Sequence, residues 1–277
     1  MTQIDLARRF HALHAPGPLV LINVWDAGSA RVAEEAGAAA VATTSAGVAW
    51  SHGVRDGESL SFEVLLETVR RIVRVVRVPV TVDIERGYGD GSPDAVARAV
   101  EAVVDAGAVG INLEDGTGRA DAPLFSPEAQ AARIAAARAA ARGVDLFVNV
   151  RTDVFLAGVG EPEGRADEVV RRAQAYLAAG ASGVFVPGVT DAETIRRLAR
   201  AIAGPLNVLA RPGALSVPAL AALGVARVSL GPTVALAALA LVRRTTEEAL
   251  ASGTYDALAA VLGDGFASAD VQVLFEA

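Results

Sequence analysis

The sequence predicts a (β/α)8 TIM barrel, and three observations support this fold class. Short runs rich in Val, Ile and Leu alternate eight times with longer stretches whose apolar residues recur at helical spacing. Four predicted helices end in Ala-Gly-Ala or Leu-Gly-Val just before the next strand, where glycine provides a left-handed cap. The competing fold, an open doubly wound sheet, calls for Gly-x-Gly-x-x-Gly after its first strand. Asp26-Ala27-Gly28-Ser29 stands there instead.

The predicted elements alternate along the chain. Strands are predicted at Leu19–Val24, Ala39–Thr43, Val78–Asp83, Val109–Leu113, Leu146–Val150, Gly183–Val186, Leu206–Leu209 and Arg227–Leu230. Helices are predicted at Ser29–Ala36, Ser61–Val76, Pro93–Ala106, Pro127–Ala141, Ala166–Ala179, Ala192–Ala203, Val217–Leu223 and Thr233–Ala251. Ser92-Pro93 and Ser126-Pro127 each place a capping side chain before a proline in the first helical turn, which marks two of the helix starts.

Further helical segments lie outside the eight units. A leading helix is predicted at Thr2–Leu13, and a tail with helical spacing occupies Thr254–Ala260 and Ser268–Phe275. No change of composition marks a boundary, so residues 1–277 are predicted to form one domain with a C-terminal helical tail from about residue 254. The tail is expected to pack on a barrel, either its own or that of a neighbouring subunit.

Composition excludes several kinds of chemistry and partner. The chain has no Cys and no Lys, and all 25 basic residues are Arg, so thiolate nucleophiles, sulfur-bound metals and lysine Schiff bases are unavailable. The net charge of -7 argues against a nucleic-acid partner. No apolar window reaches the length of a membrane span, and the first residues lack the order of a secretory signal. A cytoplasmic protein without a membrane partner is expected.

Acidic side chains recur where the second, third and fourth strands end. Asp56 lies in the loop after the second strand, Asp83 and Glu85 follow the third, and Glu114 and Asp115 follow the fourth. These carboxylates are expected to converge, because the carboxyl ends of barrel strands meet at one face. Clustered carboxylates repel one another unless a hard cation lies among them, and oxygen ligands without a nearby His favour Mg²⁺, or Mn²⁺ in its place. The alternative is that some of them are solvated or paired with Arg.

Other groups at the same strand ends predict an anion-binding pocket. Trp25 follows the first strand, and Ser45, Ala46 and Gly47 form a run of small residues whose backbone N–H groups suit a carboxylate or an oxyanion. Arg151 follows the fifth strand, where its planar guanidinium suits bidentate capture of a substrate carboxylate. The alternative for this arginine is a structural salt bridge with Asp153 or Glu114.

Five stretches, in chain order, carry a resemblance to a known family. They are Thr44-Ser45-Ala46-Gly47-Val48, Gly53-Val54-Arg55-Asp56, Asp83-Ile84-Glu85-Arg86-Gly87-Tyr88-Gly89, Asn112-Leu113-Glu114-Asp115 and Asn149-Val150-Arg151-Thr152-Asp153. With these stretches the chain resembles the isocitrate lyase/phosphoenolpyruvate mutase superfamily over nearly its whole length. The resemblance implies a barrel enzyme that binds Mg²⁺ and a 2-oxo acid, and that breaks or forms C–C or P–C bonds through an enolate of pyruvate type.

The resemblance also assigns roles to residues. It implies Asp83 as the direct metal ligand, with metal-bound waters held by Asp56, Glu85 and Glu114. It implies a substrate carboxylate and its developing enolate oxygen bound by Ser45, Ala46, Gly47 and Arg151. Members of the superfamily are commonly tetramers that exchange a C-terminal helix, so a homo-oligomer, either a dimer or a tetramer, is expected.

The chain departs from the superfamily pattern in two places. The second acid of the third-strand motif is Glu85 rather than Asp. The lyases carry Lys-Lys-Cys-Gly-His on the loop after the fourth strand, where the Cys is the catalytic acid/base, whereas residues 116–123 here contain neither Cys nor Lys. The loop signature of the mutase, which uses Lys and Asn, is missing too. True isocitrate or methylisocitrate lyase activity is therefore not expected.

Together these observations predict a Mg²⁺-dependent lyase. It would cleave a C–C bond, with a P–C bond as the alternative, in a small 2-oxo or 2-hydroxy (di)carboxylic acid. Arg151, Glu114 and Glu85 are the candidate catalytic residues, and Glu85, Asp121 or His52 would position a water in a hydrolase. The alternatives are an oxaloacetate- or phosphonopyruvate-type hydrolase or decarboxylase, and a catalytically idle barrel that binds a small acid.

Overall fold

A closed barrel of eight parallel strands, paired in sequence order, forms the centre of the molecule. It is seen in a computed structural model that describes residues 1–263 and 265–276; Asp264 and Ala277, both inside the predicted domain, lie outside the described residues. The strands are β1 (Leu19–Val24), β2 (Val41–Thr43), β3 (Val80–Asp83), β4 (Gly110–Glu114), β5 (Phe147–Arg151), β6 (Gly183–Val186), β7 (Leu206–Leu209) and β8 (Arg227–Ser229). The predicted (β/α)8 barrel is confirmed.

Helices follow the strands and also lie at both ends of the chain. They are α1 (Gln3–Ala12), α2 (Ala27–Glu35), α3 (Ser45–Ser51), α4 (Phe62–Val75), α5 (Pro93–Asp105), α6 (Pro127–Ala140), α7 (Arg165–Ala178), α8 (Ala192–Ala201), α9 (Val217–Ala222), α10 (Thr233–Ala251), α11 (Asp256–Leu262) and α12 (Ser268–Gln272). The ends of the predicted helices between strands differ from these bounds by two residues or fewer. Gly107 ends α5 at a φ of +99°, as the predicted left-handed cap requires.

The helix α3 was not predicted, because the sequence shows it only as a run of small residues. Thr44 starts it: its side-chain oxygen accepts a hydrogen bond from the Gly47 N–H at 3.4 Å. A Cβ at position 47 would lie 2.5 Å from Thr44 Cγ2 and 3.1 Å from the Cβ of Ala235. Glycine therefore allows α3 to lie close against the start of α10.

The outer face of the barrel is apolar and its interior is largely polar. Alternate residues of a strand face opposite sides. Val148 and Val150 belong to the apolar cluster shared with the helices, whereas Asn149 between them is buried and bonds to Asn112, its register partner on the neighbouring strand β4. The buried polar residues at the inward positions of the strands are Asn23, Thr81, Asn112, Asn149, Asn207, Arg227 and Ser229. Barrels of this kind usually fill the interior with branched aliphatic residues, so this interior is built for polar contacts.

Helix α1 closes the amino-terminal end of the barrel. Phe10 is fully buried, in a cluster with Leu21 and Phe147, and the ring of His14 stacks on Phe147 at a centroid distance of 3.9 Å. Burial, and then the nearby charge of Arg227, lower the pKa of His14 to about 4, so this imidazole is neutral at pH 7. The amino-terminal end of the barrel is thus filled by α1, and the carboxyl ends of the strands are left as the place for a functional site.

Helix α10 leaves much of its apolar surface uncovered. Leu236, Leu239 and Val242 are 55%, 48% and 63% exposed. On the outer face of β1, a cavity of about 900 Å³ is lined by side chains that include Val20 and Ile22; it is called the β1 groove below. Neither α10 nor any other helix in the described part of the chain has the length and apolarity to cross a membrane.

Candidate active site

A cavity of about 250 Å³ opens at the carboxyl end of the strands. Five of the predicted site residues line it, and they come from β3, β5 and the segments after β2: Ser45, Ala46, Asp56, Asp83 and Arg151. The predicted convergence of loops at this face therefore occurs. A volume of this size suits a ligand smaller than a typical drug molecule.

Asp83 is the acid at the centre of this arrangement. Its backbone N–H donates to Thr43 Oγ1 at 2.8 Å, which ties the end of β3 to β2. One carboxylate oxygen accepts a hydrogen bond from the Glu85 N–H at 3.2 Å. Burial raises the pKa of Asp83, and the charge of Arg151 opposes the shift. Within residues 1–263 and 265–276, Asp83 has no ion pair shorter than 4 Å with an arginine.

Glu85 lies beside Asp83 on a strained stretch of backbone. Its φ is +50°, a left-handed conformation that costs a non-glycine residue of order 1–3 kcal/mol and is commonly found at functional sites. Its carboxylate accepts the Glu58 N–H at 2.7 Å. Burial, followed by the charges of Asp83 and Asp56, raises the pKa of Glu85 to about 8. The acids after β2 and β3 therefore lie close enough to repel one another.

The turn after Glu85 brings the chain back over the barrel in a conformation that glycine permits. Gly87 has a φ of +94°, and a Cβ there would lie 2.6 Å from Val96 Cγ2. The next residue, Tyr88, donates its backbone N–H to Glu58 Oε1 at 2.9 Å. Glu58 thus bonds to the backbone of Tyr88 while its own N–H bonds to Glu85, and the loops after β2 and β3 are held together.

Glu114 and Arg151 form an ion pair across the ends of β4 and β5. Arg151 Nη1 lies 2.9 Å from Glu114 Oε2, and Nε and Nη2 bond to the two oxygens of Asp153 at 2.6 and 2.9 Å. Burial raises the pKa of Glu114, and the positive charge of Arg151 opposes this shift. Burial also lowers the pKa of Arg151, but the charges of Glu114 and Asp153 raise it by more, so the net shift is upward. Arg151 therefore makes both salt bridges considered as its alternative role, and it still lines the cavity.

The start of α3 forms one wall of the cavity. Ser45 and Ala46 line it, and the first N–H groups of a helix have no acceptor within that helix. Gly47 and Trp25 lie in a neighbouring depression of about 70 Å³, together with residues of α3 and α10. The predicted substrate-binding set is thus divided between two adjacent spaces.

Some cavity residues were not assigned a function from the sequence. Leu156, Phe185 and Leu209 give the cavity an apolar side. Phe185 was visible only as one inward position in a buried strand, a pattern that does not distinguish a cavity wall from core. Asn112 and Ser229 also line the cavity, and the sequence assigns neither of them a role.

Other acids and the histidine candidate lie elsewhere. Asp115 is fully buried and bonds to the hydroxyl of Tyr176 at 2.7 Å and to Arg172 Nη1 at 3.0 Å, so it fixes β4 to α7. Asp121 is 70% exposed at its side chain and pairs with Arg119 on the loop after β4. His52 follows α3 as its cap and is exposed. None of the three is among the residues that line the cavity.

The donor set has the chemistry that a hard cation requires. Asp83 and Asp56 line the same cavity, and Glu85 and Glu114 are close enough for Asp83 to raise the pKa of both. Carboxylate oxygens are the ligands preferred by Mg²⁺, which usually keeps several waters. In the described chain no three acidic or histidine side chains are grouped so as to ligate one ion directly. The arrangement fits a cation held by few direct contacts and otherwise through water.

Comparisons with known proteins agree with the fold and show the family. A family model for phosphoenolpyruvate phosphomutase matches residues 10–250. The 2-methylisocitrate lyase of Escherichia coli K12 is 32% identical over 213 residues, which is 70% of each chain. A crystal structure of a candidate lyase/mutase from Burkholderia cenocepacia J2315 superposes with a TM-score of 0.89 at 38% identity, covering 99% of this chain and 97% of that one. A phosphonopyruvate hydrolase in complex with oxalate and Mg²⁺ superposes with a TM-score of 0.83 at 27% identity, covering 99% and 95%.

The chain therefore belongs to the isocitrate lyase/phosphoenolpyruvate mutase superfamily. The members named here are lyases, mutases and hydrolases, so this is a superfamily of enzymes.

Proposed function

We propose that the protein is a Mg²⁺-dependent lyase that cleaves a C–C bond in a small 2-oxo or 2-hydroxy (di)carboxylic acid; cleavage of a P–C bond is the alternative. One observation carries the proposal: the half-buried Asp83 carboxylate, which has no ion-pair partner among the described residues, faces a small cavity that is also lined by Arg151 and the start of α3. Anion-binding groups and a cation-binding group thus share a space of about 250 Å³.

The metal would be held by Asp83 directly and by Asp56, Glu85 and Glu114 through water. Mn²⁺ suits the same oxygen donors. When bound, the ion supplies positive charge that stabilises an enolate developing on the substrate. The phosphonopyruvate hydrolase that superposes on this chain was crystallised with Mg²⁺ and oxalate, which supports the same pairing of ion and acid here.

The side chains around the cavity would bind and orient the acid. Arg151 is held by Asp153 and Glu114 in one orientation, so its remaining N–H groups are fixed before the substrate arrives. The N–H groups of Ser45 and Ala46, with Gly47 behind them, would donate hydrogen bonds to a carboxylate or a developing oxyanion. Leu156 and Phe185 would exclude water from the apolar side.

The candidates for the catalytic acid/base are Glu85 and Glu114. The loop from Gly116 to Leu124 closes on itself through a bridge between these two residues, and it brings neither Cys nor Lys to the cavity. Glu85 has a pKa of about 8, near the value at which a carboxyl exchanges protons readily at neutral pH. We assign Glu85 and Glu114, with Arg151, as the catalytic residues. Hydrolysis or decarboxylation of an oxaloacetate- or phosphonopyruvate-type acid on the same scaffold is the second candidate.

Product analysis with oxaloacetate and phosphonopyruvate separates the candidates. The enzyme is incubated with each acid, and with a panel of 2-hydroxy dicarboxylates, with Mg²⁺ or with EDTA. Decarboxylation gives pyruvate and CO₂, hydrolysis of oxaloacetate gives oxalate and acetate, and hydrolysis of phosphonopyruvate gives pyruvate and phosphate. A 2-hydroxy acid cleaved to two smaller acids identifies the lyase. No turnover of the panel, together with no Mg²⁺ affinity, would favour an idle acid-binding barrel.

We also propose that the protein is a homo-oligomer in which α10 of one subunit covers the β1 groove of another. The exposed Leu236, Leu239 and Val242 on α10 are apolar, as is the wall of the groove formed by Val20 and Ile22. Contiguous exposed apolar surface on a protein usually marks an interface. The partner is a second copy of the chain, in a dimer or a tetramer.

Light scattering tests this arrangement. Leu239→Asp should lower the molar mass of the particle, whereas Arg243→Ala, at a side chain that is 81% exposed and forms a salt bridge within α10, should leave it unchanged. A monomeric wild-type protein would contradict the oligomer without touching the enzymatic proposal.

A further inference from the structure

An arginine is buried inside the barrel, below the cavity. Arg227 begins β8 and is 1% exposed. Its Nη2 donates to Asn112 Oδ1 at 3.2 Å and its Nε to Ser229 Oγ at 3.4 Å, while Nη1 is buried without a hydrogen-bond partner among the described residues. Burial lowers the pKa of Arg227 to about 9, and the charge of Asp83 opposes this. Burying a guanidinium without a paired carboxylate is costly, and Arg227 has no such partner among the described residues, so a function for this side chain is expected.

The contact with Arg227 fixes which end of the Asn112 side chain faces the cavity. A guanidinium only donates hydrogen bonds, so the Asn112 atom next to it must be the oxygen. Asn149 Nδ2 donates to the same oxygen at 2.8 Å. With both donors on Oδ1, the amide nitrogen is left for the cavity, which Asn112 lines next to Asp83, its register partner on β3. Asn112 therefore presents N–H groups and no acceptor to a ligand.

We propose that Arg227 is a positioning residue that, together with Asn149, holds the Asn112 amide as a hydrogen-bond donor to a substrate oxygen. This inference rests on the proposed function and adds a substrate-binding side chain, with the residue that orients it, to the same site. Arg151 and the backbone at Ser45, which line the same cavity, are also donors, whereas the acceptors Asp56 and Asp83 would be engaged by the ion. A 2-oxo or 2-hydroxy group can accept from Asn112, whereas the ammonium group of a 2-amino acid has only protons to offer. The site thus selects oxygen-bearing acids against amino acids of the same shape.

Calorimetric titration with oxalate in saturating Mg²⁺ tests the role of Asn112. Asn112→Ala removes a hydrogen bond to a charged ligand and should weaken oxalate binding roughly 10- to 150-fold. Affinity for Mg²⁺ alone should change by less than about twofold, because Asn112 has no part in holding the ion. Asn207 supplies the matched controls, because it lies in the same interior and bonds to Ser229 rather than to Asn112. Asn207→Ala reports the loss of a buried amide alone, and Asn207→Asp reports the effect of a buried charge for the Asn112→Asp variant used below.

A double-mutant cycle tests the role of Arg227. Arg227→Met should weaken oxalate binding in the wild-type background. It should have no further effect when Asn112 is already Ala, because the amide that Arg227 positions is then absent. Equal losses in both backgrounds would show a merely structural arginine and overturn the inference. If Arg227→Met does not fold, Asn149→Ala removes the other donor to Asn112 and takes its place in the cycle.

The substrate selectivity has its own measurement. Wild-type protein should bind malate more tightly than aspartate, and Asn112→Asp should narrow that difference, since an acceptor then faces the cavity. Asn112→Ala with wild-type affinity for oxalate, or an unchanged malate-to-aspartate ratio in Asn112→Asp, would overturn the inference while the proposed function stands. A wild-type protein that binds neither Mg²⁺ nor oxalate would overturn the proposed function and this inference with it.

Discussion

Replacing Asp83 with Asn separates the metal-binding role of this residue from its structural role. The change keeps the shape of the side chain and removes one buried charge. Asp83 has a pKa raised by burial and lacks an arginine partner within 4 Å in the described chain. A desolvated carboxylate without an arginine partner is costly, so the metal-free variant should unfold at the same temperature as the wild type or at a higher one.

Mg²⁺, in contrast, should raise the Tm of the wild type and have little effect on the Tm of Asp83→Asn. An ion that binds only the folded protein stabilises it by about 2.7 kcal/mol at 100 times its Kd. For a domain of this size each kcal/mol corresponds to about 2–4 °C, so the wild-type Tm should rise by about 5–11 °C. Asp83→Asn removes the direct ligand, and its Tm should rise by less than about 1 °C at the same Mg²⁺ concentration.

Differential scanning calorimetry with EDTA and with saturating Mg²⁺ measures both quantities. Asp121→Asn is the control, because it removes the same charge from an exposed loop position away from the cavity and should keep the full Mg²⁺ shift. A Mg²⁺ shift of several degrees in Asp83→Asn would refute the assignment of Asp83 as the metal ligand. A Tm lowered by several degrees in EDTA would refute the argument that its buried charge destabilises the metal-free protein.

Three further predictions concern pH, the substrate anchor and the scaffold. Glu85 has a pKa of about 8 in the metal-free protein, so at pH 6–7 it carries a proton that Mg²⁺ must displace. The affinity for Mg²⁺ should therefore rise by up to about tenfold per pH unit from pH 6 to 8 and become constant at higher pH. Titrations in two buffers of different ionisation enthalpy would detect the released proton, and a flat affinity profile would contradict it. Arg151→Lys keeps the charge but loses the planar fork, so steady-state kinetics on the substrate found should show kcat/KM lower by roughly 10- to 150-fold, with an unchanged circular dichroism spectrum. Asp115→Ala leaves Arg172 and Tyr176 without their buried partner and should lower the free energy of unfolding in urea by about 3–5 kcal/mol; a loss below about 1 kcal/mol would show that the network is dispensable.

The architecture was largely predictable from the sequence because it depends on local signals. Strand positions followed from apolar runs, and helix ends followed from caps such as the glycine at 107 and the Ser-Pro pair at 126 and 127. The α-helix that was missed, α3, has a composition of small residues that carries no periodic signal. Its helical form depends on the Thr44 cap and on the close approach of α10, which is a contact between distant parts of the chain.

The candidate site was predictable in its residue types and in part in its geometry. Asp83, Asp56 and Arg151 were placed in one pocket by the rule that strand ends converge, and they do line one cavity. The rule could not show that Arg151 is already held by Asp153 and Glu114, because two side chains at neighbouring strand ends can meet or diverge with the same sequence spacing.

The sequence by itself determined the order of strands and helices, the absence of thiol and amine chemistry, and the set of acids at the strand ends. Only the tertiary structure decided which of those acids share a cavity and which, like Asp115, lie in the core. It also decided that Asn112 faces the cavity with its nitrogen, since that orientation is set by Arg227, 115 residues away along the chain. The physical reason is that hydrogen bonding and burial act across space, whereas periodicity and capping act between neighbours in the sequence.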